Sequence, residues 1–410
     1  MFSSFSTALS ALNADSTAID VVGNNLANLN TTGFKTSDVS FQDLVAQSLS
    51  GGQTQVGSGV AAPTTQMDFS QGSIQSTGGA LDAAIQGGGF FIVQNSNGAT
   101  EYTRAGNFQV DSQGNLITAT GEAVQGWTPV NGALNASGPT GNITVPMGSL
   151  QAAKPTSNMS VDLNLNAAAA AGETFSTSVQ VYDSLGTPHV VSFTFTKTST
   201  ANQWQYSVSF PNSDLTAPGT PLTGTLTFDS SGVLTSPAAG SAPPSLAVSN
   251  LADGAANMNI NWNLFNGTTP LITQFSQASA TSAENQDGSP AANLTQVSIE
   301  NGGEVLAQYS SGNQVVVGQI AMASILNPES LISAGDNNFT LSANTALPAV
   351  GLPNTGGRGQ LLGGALESSN ADIATEFTNL IVFQRSYEAN AKVVTTVDQL
   401  SQDTINLKPQ

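Results

Sequence analysis

The 410-residue chain is longer than one domain usually is, and its 39% hydrophobic composition is sufficient for two or three separate cores. Only 9% of the residues are charged, and 27 acidic against 8 basic residues give a net charge of −19, which excludes binding to a row of nucleic-acid phosphates. The absence of cysteine excludes disulfides, thiolate metal sites and cysteine nucleophiles.

The first six residues contain no basic side chain and begin no continuous apolar core of about 7 to 15 residues, so we expect no cleaved secretory signal peptide. No later segment reaches the roughly 18 consecutive apolar residues of a membrane-spanning helix. The sequence therefore predicts a protein without membrane insertion. If the protein is exported, we expect an export pathway that does not depend on a cleaved signal peptide.

Apolar residues near the amino terminus recur in alternating steps of three and four, which is the periodicity of an amphipathic helix with a coiled-coil seam. Ser16 and Gly23 occupy positions of the same stripe where apolar side chains are missing. Residues 28–33, which favour turns, end the predicted helix. The predicted seam of this helix consists of Phe2, Phe5, Leu9, Leu12, Ile19 and Leu26.

The carboxyl terminus repeats this pattern, and neither Gly nor Pro interrupts residues 365–408. Glu388 and Lys392 form a favourable pair four residues apart on the outer side of the predicted second helix. The predicted seam of this helix consists of Leu366, Ile373, Phe377, Leu380, Tyr387, Ala391 and Val394.

Between the two helices, Gly, Pro, Asn and Asp turns separate short apolar or alternating runs such as 90–93, 190–195 and 314–318, which predict strands and hairpins. The predicted fold class is mainly β with α-helical termini, comprising two nested β domains and a coiled-coil-like pair of terminal helices. The predicted domains are a terminal helical core domain (1–30 and 364–410), a connector (31–69), an inner β domain (70–149 and 284–363) and an inserted outer β domain (150–283).

The sequence contains few residues in arrangements that could support catalysis. A Ser-His-Asp triad would need the sole histidine, His189, which we interpret as a turn residue at the entrance of a strand. Asp111, Gln113 and Asn115 have the spacing of a calcium loop but lack its acidic ligands, so calcium stays open only as an alternative. We predict no catalytic, cofactor-binding or metal-ligating residue and expect no cofactor.

Aromatic residues leave a carbohydrate-binding alternative open. Phe90, Phe91 and Trp127 are of the type that stacks on sugar rings, but β-domain cores use the same residues. A secreted glycan-binding β protein is therefore one alternative function.

The apolar seams of the two predicted helices say more about function than the candidate catalytic and binding residues do. Six or seven large apolar side chains left in water are costly at about 25 cal/mol per Å² of apolar surface, so the seams must be buried against something. The two helices can pair within one chain, or they can be covered by helices of neighbouring subunits. An isolated pair would still expose outer apolar residues, namely Val21, Val22, Ile381, Phe383 and Val393, which favours neighbouring subunits.

Several stretches resemble one known family, the bacterial flagellar rod and hook proteins. The stretches that carry the resemblance are 8–14, 19–28 and 30–35 at the amino end, 81–93 and 102–108 in the middle, and 366–372 and 377–392 at the carboxyl end. Residues 181–189 resemble the outer domain of the hook members, whereas the shorter rod members lack a large inserted domain. The insertion therefore favours a hook subunit, with a distal rod subunit as the alternative.

The resemblance implies a structural protein without enzymatic activity. Many copies would form a helical homopolymer, a curved flexible tube that acts as a universal joint and transmits torque from the motor rod to the filament in flagellum-dependent motility. The predicted seam residues would then form the subunit interface of its helical core.

The resemblance also implies partners and a location. The partners are the distal rod protein, the hook cap protein during assembly, the hook–filament junction protein and the flagellar type III export apparatus, with no nucleic acid and no membrane insertion. The expected location is the extracellular hook attached to the basal body, reached without a cleaved signal peptide.

Overall fold

The computed structural model describes residues 2–44, 47–48, 55–130, 133–148 and 150–406. The chain divides into two compact units. The first, the inner unit, consists of Met1–Met147, Gln296–Gln308 and Gln314–Gln410. The second, the outer unit, consists of Gly148–Thr295 and Tyr309–Asn313. The predicted fold class, mainly β with a helix at each end, is confirmed.

Within the described residues the inner unit holds two α-helices, α1 at Phe2–Ala27 and α2 at Ile373–Asn406. Helix α2 begins where Asp372 caps it, because the Asp372 carboxylate accepts the backbone N–H of Thr375 at 2.8 Å. Neither helix of the described residues combines the length and hydrophobicity needed to cross a bilayer.

Leu366 does not lie on α2, so its assignment to the helical seam was wrong. It lies in strand Ala365–Glu367, which pairs antiparallel with Ile74–Ser76. The helical spacing of apolar residues continues on the amino-terminal side of Asp372, where the chain is no longer helical. The backbone groups around Leu366 form the hydrogen bonds of the strand pair, and the helix begins only after the cap at Asp372.

The main sheet of the inner unit is apolar on both faces. In its central strand Phe90–Gln94, Phe91 and Val93 enter one hydrophobic cluster while Phe90 and Ile92 enter another. A continuous apolar run is what a strand buried on both faces requires. The strands of this unit are Ser37–Ser40, Gln47–Ser48, Gln55–Val56, Thr64–Met67, Ile74–Ser76, Ala83–Gln86, Phe90–Gln94, Thr100–Thr103, Gln109–Val110, Leu116–Ile117, Ala123–Trp127, Gly141–Asn142, Leu294–Ile299, Glu304–Tyr309, Gln314–Ile320, Met322–Ser324, Ile332–Gly335, Asn338–Thr340, Ala349–Gly351, Gln360–Gly363 and Ala365–Glu367.

The predicted connector, 31–69, contains regular structure. Strand Ser37–Ser40 pairs antiparallel with Thr64–Met67. The ring of Phe41 lies 5.9 Å from that of Phe383 on α2. These contacts attach the connector to the second helix as part of the inner unit.

The outer unit contains two sheets that enclose one core. The burial of strand Pro188–Lys197 alternates along its length, and Trp262 of the other sheet packs against Phe193 with ring centroids 5.2 Å apart. The strands of this unit are Asn158–Asn164, Thr174–Tyr182, Pro188–Lys197, Gln203–Ser209, Leu222–Phe228, Leu234–Ser236, Ser245–Val248, Met258–Asn263, Phe265–Asn266, Thr269–Pro270, Ile272–Thr273 and Ala280–Gln286.

The outer unit extends beyond the predicted boundary at residue 283. Strand Ala280–Gln286 pairs antiparallel with Asn158–Asn164, and the unit continues to Thr295. The mostly polar sequence of this strand carries no apolar alternation that would have marked it. A separate terminal helical domain, as opposed to helices within the inner unit, stays a prediction.

Candidate subunit interface on the terminal helices

Helix α1 packs against α2 through a narrow face of mostly small residues. Because Asp15 bonds to Asn390 while Asn25 bonds to Glu376, the two helices run antiparallel. Small side chains allow the two backbones to approach closely. The buried residues of this face, here called the intrachain face, are Ala8, Ala14, Asp15, Ala18, Val22 and Asn25.

Two buried polar contacts fix the register of the helix pair. The Asp15 carboxylate accepts hydrogen bonds from Asn390 at 2.9 Å and from Ser386 at 3.0 Å. Asn25 donates to Glu376 at 2.9 Å. A shift of either helix would leave these buried groups without partners, which costs about 1–3 kcal/mol for each group.

The predicted seam of α1 lies beside the intrachain face. Leu9, Ile19 and Leu26 each follow a residue of that face by one position, which corresponds to a rotation of about 100° around the helix. Phe5 is 40% exposed and Leu9 is 46% exposed. Leu12, Ile19 and Leu26 are half-buried, and the side chain of Phe2 lies outside the described residues.

The predicted seam of α2 is exposed over its first half. Ile373 is 55% exposed and Phe377 is 50% exposed, and Tyr387 is also exposed. Leu380, Ala391 and Val394 are half-buried. The single chain thus brings α1 and α2 together while leaving much of both predicted seams in solvent.

Below the helices, a buried charge centre joins three distant parts of the inner unit. Glu367 contacts the Lys35 Nζ at 2.7 Å and the Arg104 Nη1 at 3.2 Å, and all three side chains are buried. Gly33 lies next to this centre and donates its N–H to the Glu367 carbonyl at 2.8 Å. The φ of Gly33 is +69°, and a Cβ there would lie 2.6 Å from the Arg104–Ala105 peptide.

Burial shifts the pKa of several ionisable groups in this region, including Lys35 and Glu376. It lowers the pKa of Lys35, against the opposing effect of Glu367. It raises the pKa of Glu376, to which the carboxylates of Asp38 and Asp372 add, against the hydrogen bond from Asn25. Ionised Glu376 therefore opposes the folded state of the helix pair.

The residues considered for other chemistry have structural surroundings. Asp111 accepts the N–H groups of Gln113 and Asn115 and so closes a turn. Phe90 and Trp127 are buried in the inner unit, and so is Phe91, which removes the surface that the glycan-binding alternative needs.

His189 is not a turn residue, so that interpretation was wrong. It belongs to strand Pro188–Lys197 and is buried between Asp183 and Asp214. The signal that sequence reasoning missed is Asp183, six residues earlier, which starts the turn leading into this strand.

Sequence comparison identifies the relatives of the chain. It is 33% identical to the flagellar hook protein FlgE of Treponema pallidum, and the match covers the whole of both chains. The chain belongs to the flagellar hook protein family. Its similarity to the hook protein FlgE of Salmonella typhimurium is 35% identity over 99% of this chain and 100% of the relative.

Family models match four segments. They are described as flagella basal body rod protein (5–35), flagellar hook protein FlgE/F/G D1 domain (84–164), flagellar basal body protein FlaE D2 domain (152–289) and flagellar basal body rod FlgEFG protein C-terminal (362–407). The fold also resembles the crystal structure of the Helicobacter pylori flagellar hook protein FlgE2, with a TM-score of 0.53 and 14% identity over 70% of this chain and 99% of that chain.

These findings confirm the resemblance predicted from the sequence and favour a hook subunit over the distal rod alternative. The chain is a structural subunit of the bacterial flagellar hook, attached to the basal body, and the family implies that it polymerises with itself.

Proposed function

We propose that the exposed seams of α1 and α2 are the subunit interface of the hook's helical core. The observation that carries this proposal is the separation of two faces on one helix: Ala18 packs within the chain while Leu9 remains exposed. Seams from adjacent copies would bury each other in a contact that repeats along a helix rather than closing a ring. Phe377, an exposed residue of the α2 seam, would belong to the same subunit interface.

The β units would then form the outside of a curved, flexible tube that transmits torque from the rod to the filament. Charged residues make up only 9% of the chain, so contacts between β units depend little on fixed ion pairs. Polar, uncharged surfaces allow neighbouring units to exchange one contact for another at low energetic cost. Such contacts permit bending while the helical layer resists twisting. The chain has no enzymatic role in this proposal.

The proposal includes the partners expected of such a subunit. The ends of the tube would contact the distal rod protein and the hook–filament junction protein, and a cap protein would hold the growing end. Export would use the flagellar type III apparatus without signal cleavage and place the polymer outside the cell. The family match over residues 5–35 and the packing of α1 on α2 support an amino-terminal segment that is kept in the working protein.

Substitutions on the seams test the interface. We expect Leu9→Ser and Phe377→Ser to abolish hooks, seen by electron microscopy of cells that express only the variant. Because both side chains are half exposed, unfolding of the isolated chain should change by at most about 1 kcal/mol. Matched controls are Asn13→Ser on α1 and Glu388→Ser on α2, both exposed positions outside the seams. Normal hooks with the seam variants, or equal damage by the controls, would overturn the proposal.

The location of the polymer is tested separately. Gold-labelled antibody against residues 150–283 should bind the short curved segment of isolated flagella. Label on a straight rod would favour the distal rod alternative instead.

A further inference from the structure

A second cluster of ionisable groups lies in the outer unit, where the sequence predicted no ligand. His189 is flanked by three aspartates. Its Nε2 is 3.2 Å from an Asp183 carboxylate oxygen, and its Nδ1 is 2.8 Å from Asp214. One ligand atom each from Asp183, His189 and Asp253 lies within 4.8 Å of the other two.

The cluster is held in place by surrounding hydrogen bonds. One oxygen of Asp183 accepts the N–H groups of Leu185 and Thr187, which leaves the other oxygen directed at His189. The Ala252 N–H donates to the Asp214 carbonyl, and the Ala256 N–H donates to the Ser184 hydroxyl. The three segments that carry the ligand atoms are therefore tied to one another before any ligand binds.

The donor set suits a divalent transition metal. One imidazole nitrogen and two carboxylate oxygens are ligands that Zn²⁺ accepts, whereas Ca²⁺ and Mg²⁺ prefer oxygen alone. Adjacent ligands of a tetrahedral zinc site with arms of about 2.0–2.1 Å are separated by about 3.3 Å. The distance of 3.2 Å between the His189 nitrogen and the Asp183 oxygen matches that separation.

Asp214 occupies the place of an outer partner of a metal-bound histidine. Metal-ligating histidines commonly donate their second N–H to a carboxylate, which fixes the ring orientation and the tautomer. Here the Nδ1–H of His189 would donate to Asp214, leaving the Nε2 lone pair directed toward Asp183 and Asp253.

Charge also favours a dication. Asp183 is fully buried, and one of its carboxyl oxygens lies within 4.8 Å of an oxygen of Asp253. Three acidic side chains and a single histidine thus surround the proposed position of the ion. Asp253 is exposed, which provides an entry path for an ion from solvent.

We propose that Asp183, His189 and Asp253 bind one Zn²⁺ ion, with Asp214 positioning the histidine. The fourth position would be taken by water, because the Asp253 side of the cluster is open to solvent. The ion would link the turn after Asp183, the strand that begins at Pro188 and the segment around Asp253. Its effect would be to stabilise the outer unit.

The full chain, freed of metal by a chelator, should bind one Zn²⁺ per chain in isothermal titration calorimetry. We expect Asp253→Asn to lower the affinity at least tenfold, since it removes a ligand at an exposed position without disturbing the core. The matched control is Asp229→Asn, another exposed turn aspartate of the outer unit, whose affinity for Zn²⁺ should equal that of the parent chain.

Thermal unfolding supplies the second measurement. Zn²⁺ should raise the melting temperature of the parent chain and of Asp229→Asn, and should raise it much less for Asp253→Asn. Asp214→Asn should weaken binding by about 10–100-fold, as expected for an outer partner. No binding by the parent chain, or equal binding by Asp253→Asn, would overturn the site and leave the contacts of His189 with Asp183 and Asp214 as a structural feature of the outer unit. Neither result would bear on the seams of α1 and α2.

Discussion

Asn25 on α1 donates a hydrogen bond to Glu376 on α2 at 2.9 Å, and both side chains are buried. The second carboxylate oxygen of Glu376 is buried and has no hydrogen-bond partner in the part of the chain that the structure describes. The helix pair thus contains an acid whose charge is only partly compensated. This arrangement gives the pairing of the two helices a dependence on pH.

We expect Glu376→Gln to stabilise the helix pair at neutral pH. The pKa of Glu376 is raised above its ordinary value of 4.5, so its ionisation costs more in the folded than in the unfolded chain. The amide keeps an acceptor for Asn25 but carries no charge. The gain should shrink as pH falls and vanish below about pH 4.5, where the parent is protonated in both states.

Thermal unfolding followed by circular dichroism at 222 nm between pH 4 and 8 checks this prediction. Glu388→Gln, an exposed site on α2, is the control and should show no such pH-dependent gain. A variant less stable than the parent at pH 7 would contradict the expected sign.

Ala18→Leu should destabilise the helix pair by about 1–3 kcal/mol. Ala18 is fully buried on the intrachain face, so three added carbon atoms must displace α2 or adopt a strained rotamer. Asn13→Leu places the same side chain on an exposed position of α1 and should leave stability nearly unchanged. Chemical denaturation of the purified chain measures both, and equal losses would show that α1 does not pack as described.

Glu367→Gln should cost about 3–5 kcal/mol in the inner unit. Without the carboxylate, Lys35 and Arg104 remain as two buried positive charges that are no longer neutralised. Hydrogen exchange of amides in strands Phe90–Gln94 and Ala123–Trp127 reports stability in this unit. Glu304→Gln, an exposed strand position, is the control and should leave exchange unaltered.

Two glycines should respond in opposite directions to the same substitution. Gly33→Ala is expected to destabilise the inner unit, because φ is +69° and the added Cβ would lie 2.6 Å from the Arg104–Ala105 peptide. Gly23→Ala should stabilise the chain by about 0.5–1 kcal/mol, because the position is helical and, among the described residues, no atom lies within 4 Å of the added Cβ. Melting temperatures of the two variants decide the prediction, and a shared direction would contradict it.

Periodicity predicted both helices and the exposed seam of α1, because large apolar residues at steps of three and four are visible in sequence. It did not indicate the intrachain face, and the prediction that Val22 stays exposed on an isolated helix pair was wrong, because Val22 is buried on that face. Alanines such as Ala14 and Ala18 contribute little to a hydrophobic pattern. From sequence alone Asp15 is predicted to be exposed, because its buried partner Asn390 lies on the other helix. Which face of a helix is used within the chain depends on partners hundreds of positions away.

The other misplacements have the same origin. The spacing that includes Leu366 is helical, but its backbone pairs with Ile74–Ser76 and belongs to a ladder. The location of His189 depends on Asp214, which follows it by 25 positions. The continuous run at 90–93 was predictable as a strand because its local pattern and its burial on both faces agree.

The charge centre of Lys35, Arg104 and Glu367 makes completion of the inner unit depend on both ends of the chain. Strand Ile74–Ser76 likewise depends on Ala365–Glu367 for its partner. A chain that ends before Glu367 would leave both cations without their carboxylate and this strand without its ladder. The inner unit therefore closes only when the two ends of the chain have come together.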